Sequence, residues 1–140
     1  MLMKTELMEK QLLEEIPVST LIHLVSTDSL LGYLNHLMGK RNISADVLAG
    51  LAGLNRASLY KILNGSTKSP FRNVLLRLSF AMRLGFQETQ MLLKLGGRAT
   101  LSGERKRDIL ISDGIIHKRS IDDVNARLHR YNFSSLYEKE

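Results

Sequence analysis

The chain has 140 residues, a formal net charge of +6, 44% hydrophobic and 24% charged residues, and no cysteine. That length fits one globular domain with extensions, and the apolar content excludes a chain too polar to bury a core. Without cysteine there is no disulfide framework, thiolate zinc site, iron–sulfur cluster or cysteine nucleophile.

No run of eighteen apolar residues offers a membrane span. The opening MLMKTELMEK is charged too early for a secretory leader, so the expected location is the cytoplasm. Residues 1–39 sum to −3 and residues 100–140 to +1, whereas residues 40–99 carry ten basic residues against Asp46 and Glu88, a local charge of +8. A field concentrated in this way steers a polyanion toward one part of the surface.

The apolar spacing predicts helices throughout, and an all-α fold. Residues 3–15 are expected to form a short amphipathic helix bearing Met8, Leu12 and Leu13, which Pro17 ends, or else Pro17 begins the next segment; a second helix is expected at 18–25. A third covers 29–38, with Leu30, Leu31, Leu34, Leu37 and Met38 three and four apart, capped by Thr27 or Asp28. Ser44 caps the run ADVLAGLA, Gly53 stops it, and Asn55 caps the next run, RASLYKILN, which Asn64–Gly65 closes. Ser69–Pro70 reads as a cap and first-turn proline launching 70–84. One stripe of that helix is Phe71, Val74, Leu75, Leu78 and Met82, and a second is Leu76 and Phe80, so it is expected to be central. A short helix follows over 87–95, and Gly96–Gly97 marks a boundary. Beyond it lie a helix at 103–118 and a last one started by Ser120 with Asp123, whose stripe is Ile121, Val124, Leu128 and Tyr131.

Residues 45–64 carry the most informative pattern. Two short helices meet through a tight turn, which needs a small residue at the crossing and a left-handed residue in the turn; Ala49 and Gly53 answer those needs. Leu48, Leu54, Leu59 and Ile62 are then expected to face inward. With these residues in this order, the segment resembles the helix-turn-helix of phage-repressor-like (XRE/Cro-type) transcriptional regulators. The resemblance runs over residues 29–95, with NGSTKSP similar to that family's glycine loop and fourth-helix start, and LGFQET to the start of its fifth helix. It departs from the family at Ala45, where glutamine is common, at Leu63, where glutamate is usual, and in a loop one residue longer before Pro70.

The resemblance implies a five-helix core over 29–97, with a helical arm (1–28) before it and a helical extension (98–140) after it. It also implies double-stranded DNA as partner, with Asn55, Arg56, Ala57, Ser58, Tyr60 and Lys61 of the recognition helix facing the major groove. Arg56 suits a guanine edge and Asn55 an adenine edge or a phosphate. Ser44, Lys68, Ser69, Arg72 and Asn73 are the expected phosphate contacts, because helix N-termini present free amides and partial positive charge. Such regulators commonly bind two half-sites as dimers.

The stripes of 3–16 and 103–131 exceed the needs of a five-helix core, and serve either as a homodimer or partner surface or as a cover for the core. Lys40 and Arg41, and likewise the run Arg105–Lys106–Arg107, read as solvated charge, and His23, His36, His117 and His129 lack metal-ligand spacing. No phosphate-binding glycine motif, nucleophile elbow or HExxH appears, so neither an enzyme nor a cofactor is expected. The expected function is sequence-specific transcriptional regulation; the alternative is the same fold serving as an adaptor or antitoxin-like interaction module.

Overall fold

The computed structural model describes residues 29–139. The expected helices at 3–15 and 18–25, the candidate caps Thr27 and Asp28, and the stripe of 3–16 lie outside them. Seven helices follow in order: α1 (Leu30–Lys40), α2 (Ala45–Ala52), α3 (Arg56–Leu63), α4 (Arg72–Ala81), α5 (Phe86–Leu95), α6 (Lys106–Ile116) and α7 (Ile121–Arg130). There is no strand among the described residues.

Local chemistry sets most of these ends. Ser29 caps α1 by accepting from the Gly32 amide at 3.0 Å, Ser44 caps α2 through the Val47 amide, and Ser120 caps α7 through the Asp123 amide. Each satisfies one of the amides a helix start leaves without an internal partner. Gly53 ends α2 in the left-handed conformation, φ 65°, which costs a residue with a Cβ far more than it costs glycine. The fourth helix starts later than expected. Pro70 is buried ahead of it, Phe71 is the N-cap without a side-chain bond, and helical geometry runs only over 72–81. Ser69 is therefore not a cap, and Phe71 is 46% exposed rather than part of an inward stripe.

Helix α4 is the hub, packing against α2, α5 and α7. Every residue from Leu75 to Phe80 is buried, and Ser79 is tolerated there because its hydroxyl donates to the Leu75 carbonyl at 2.9 Å. Helix α1 crosses α3 and α5, and α6 pairs with α7. A single core runs through all of it, from Leu34 and Leu48 to Ile111, Val124 and Leu136. The stripe of 103–131 covers that core with Ile111, Ile115, Ile121, Val124 and Leu128, leaving Ile109, Ile116 and Tyr131 exposed. At Gly114 a Cβ would stand 2.5 Å from Val124 and 3.1 Å from the Phe80 ring, so glycine is what lets α6 lie this close to α7 and α4.

Candidate nucleic-acid interface

Helices α2 and α3 are joined by Gly53, Leu54 and Asn55, and the turn is held by the Leu54 amide donating to the Ala49 carbonyl at 2.9 Å. Ala49 is 3% exposed at the crossing, Leu48 and Leu59 are fully buried and Ile62 is 5% exposed, whereas Leu54 is half-buried. One face of α3 is thereby locked inward, and the other is left to solvent.

That outward face carries Asn55, Arg56, Ala57, Ser58, Tyr60 and Lys61, all exposed. The structure thus brings all six expected base-reading residues onto one surface. Asn55 has a structural duty as well: its Oδ1 accepts from the Ala57 amide at 2.8 Å, and both donors of its side-chain nitrogen remain for other partners. Arg56 lies 2.8 Å from Asp46 through Nε, and its guanidinium stands 5.4 Å from the centre of the Tyr60 ring. The Tyr60 hydroxyl donates to the same Asp46 oxygen at 3.2 Å. After α3 the loop folds back, with the Thr67 amide donating to the Lys61 carbonyl and Asn64 accepting from the Ser66 amide.

The expected phosphate contacts divide. Ser44 and Lys68 are exposed on either side of α3, Ser44 with its hydroxyl already accepting from Val47. Ser69 is turned toward residues 96–98: its hydroxyl donates to the Gly96 carbonyl at 3.2 Å and its own carbonyl accepts from Arg98. Arg72 and Asn73 have partners within the protein. The Arg72 side chain is only 14% exposed and grips both oxygens of Asp108, at 3.0 and 2.9 Å, and the Ala99 and Thr100 carbonyls as well. Asn73 is fully buried and donates to the Ser135 and Glu138 carbonyls while accepting from Arg107. Both side chains are engaged by residues 99–138 of the protein itself.

Two other basic groups are likewise less solvated than expected. Arg41 donates to the Met82 carbonyl at 2.6 Å and to Glu88 at 2.9 Å, and Arg107 donates to the Ser134 carbonyl at 3.1 Å. Burial by itself would raise the Glu88 carboxyl, but the Gly85 amide and the Arg41 and Lys40 charges outweigh it and hold the group below the usual range.

The tail after α7 reaches the helix-turn-helix itself. Tyr137 packs on Gly53 and lies 5.3 Å from the Arg77 guanidinium, while Arg77 donates to the Gly53 carbonyl at 3.3 Å. Burial lowers the Arg77 pKa, partly offset by Tyr137, and burial first, then Asp122, raises that of Tyr137. Between α3, the 67–71 loop, α4 and this tail runs a groove of about 360 Å³ lined by Ser58, Lys61, Phe71, Arg77, Tyr137 and Lys139, among others. Sequence reasoning missed Asp46, Arg77 and Tyr137 as neighbours of this surface. Only the register across the turn could have paired Asp46 with Arg56.

Residues 33–92 match the family model of the Cro/C1-type helix-turn-helix DNA-binding domain. This segment is a Cro/C1-type helix-turn-helix domain. No curated protein and no solved structure matches the chain. Such a domain supports a DNA-binding regulator in general, and residues beyond it, Ile111, Val124 and Leu136 among them, pack into the same core. Among the described residues no group of His, Asp or Glu could hold a metal, and no helix is long and apolar enough to cross a membrane.

Proposed function

We propose that the protein is a sequence-specific transcriptional regulator that reads the major groove with residues 55–64. The observation that carries this reading is the outward face of α3. Arg56, Ala57, Ser58, Tyr60 and Lys61 stand exposed together, while Leu59 and Ile62 anchor the opposite face in the core. A helix held on one side and free on the other is what insertion into a groove requires. Arg56 and Asn55 supply donors for base edges, and Lys61, Lys68 and Ser44 supply contacts that set the docking position without reading sequence.

A binding assay on genomic fragments with a salt titration tests this. The expected result is a preferred sequence, and an affinity that falls steeply as salt rises because bound cations leave the DNA. Equal affinity for all fragments, or no dependence on salt, defeats the proposal. Binding as a dimer to two half-sites belongs to the same reading, with recognition helices about 34 Å apart.

The interaction-module reading has one observation in its favour: Arg72 and Asn73, at the start of α4, are consumed by the protein itself. It prevails if Arg56→Ala and Lys61→Ala leave DNA affinity unchanged while a protein partner copurifies.

A further inference from the structure

Asp46 is one of two acidic residues in the +8 segment, yet it stands 54% exposed beside the residues proposed to meet DNA. A bare carboxylate at such a place repels phosphates and weakens binding. Its neighbours give it another use. One oxygen lies 2.8 Å from Nε of Arg56 and accepts the Tyr60 hydroxyl at 3.2 Å, and the Tyr60 ring flanks the same guanidinium at 5.4 Å. Asp46 comes from the first turn of α2, and Arg56 and Tyr60 from successive turns of α3. The three meet because the turn at Gly53 folds one helix across the other.

We propose that Asp46 is a positioning residue that sets the base preference of Arg56, an inference that rests on reading α3 as the base-contacting helix. A guanidinium is a planar fork of five N–H donors, and guanine presents two acceptors that the fork can take together. Arg56 is held at its Nε end by the carboxylate and along its face by the ring. The contact to Asp46 is made through Nε, so the two terminal nitrogens are the part of the fork that a guanine edge would take. A long side chain ordered in this way before binding gives up less freedom on meeting the base. The pair contributes little to the fold, since both members are largely exposed. Its contact strengthens when DNA excludes water from it. A purely structural acid in the first turn of α2 would instead favour the positive end of that helix and leave base preference untouched.

The test is base preference, measured by selection from randomised duplexes with the full chain, for the wild type, Asp46→Ala, Asp46→Asn, Arg56→Ala and the double variant. Arg56→Ala is expected to erase the preference for guanine at one position, a loss of about tenfold or more. Asp46→Ala is expected to lower the same preference about three- to tenfold, leave the other positions unchanged, and raise affinity for random duplex by removing a negative charge. Asp46→Asn keeps an oxygen beside Nε and falls between the two. The double variant matches Arg56→Ala alone, because the two residues act through one contact. Unaltered preference in Asp46→Ala overturns the inference, as does a uniform loss of affinity with a lowered melting temperature. A motif that Arg56→Ala changes and Asp46→Ala does not overturns this inference alone. A wild type without any base preference overturns the reading of α3, and this inference with it.

Discussion

Helices α3 and α4 both begin beside the surface proposed to meet DNA, and both starts carry an arginine and an asparagine within two residues. At α3 the asparagine caps the helix, the arginine is exposed, and the first turn is open to solvent. At α4 the asparagine is fully buried, and the arginine is held by a carboxylate that is itself 2% exposed. The difference comes from what lies next in space. The first turn of α3 is exposed, whereas residues 99–108 and 134–138 close over α4. The same residue types at the same kind of helix end thus become a docking surface in one place and a joint between core and extension in the other.

Substitutions can break that comparison. The largest effect is expected from Arg72→Met, which leaves Asp108 buried without its partner and should cost about 3–5 kcal/mol in chemical denaturation. Below its lowered melting temperature, the variant should keep the salt dependence of DNA binding unchanged. A shallower salt dependence would mean that Arg72 reaches phosphate after all. Asn73→Ala removes a buried hydrogen-bonding hub and should cost about 1–3 kcal/mol, again with DNA preference retained.

The opposite pattern is expected at α3. Lys68→Ala and Lys61→Ala should leave the unfolding free energy within about 0.5 kcal/mol of the parent, as surface changes usually do. Each should reduce the slope of log affinity against log salt by about 0.9. Asn55→Ala sits between the classes, losing a cap worth about 1 kcal/mol.

The smallest effect is electrostatic and distant from both starts. Glu88 is held below its ordinary range, so its contribution is present above the unfolded carboxylate pKa, about 4.3. It is lost as pH falls through the lower folded value. Acid denaturation of Glu88→Gln should therefore show a weaker fall in stability below about pH 4 than the parent; an identical acid limb would refute the role given to Gly85, Arg41 and Lys40.

Much of the architecture is legible in the sequence, and the reason is local. Ser44, Gly53, Asn55 and Ser120 act on amides and dihedrals within three residues of themselves, so their roles follow from neighbours in the chain. The inward leucines of α2 and α3 follow from helical spacing in the same way. Helix α4 starts at Arg72 rather than at Pro70 because tertiary contacts override the helix-start signal of Ser69 and Pro70. The Ser69 hydroxyl is taken by Gly96, 27 residues away, and Pro70 is buried. Arg41 and Arg107 are less solvated than their sequence surroundings suggest for a related reason, since their acceptors lie on Met82, Glu88, Asn73 and Ser134.

The concentration of charge between residues 40 and 99, the all-helical composition and the turn at Gly53 were determined by the sequence itself. Spacing, caps and charge counts depend on residues close together in the chain. Which basic residues stay available to a polyanion was decided only by the tertiary structure. Arg56, Lys61 and Lys68 remain at the surface, while Arg72 is neutralised by Asp108, 36 residues on. A charge is free or spent according to its nearest opposite charge or acceptor. For a folded chain that partner is set by packing and not by separation along the sequence.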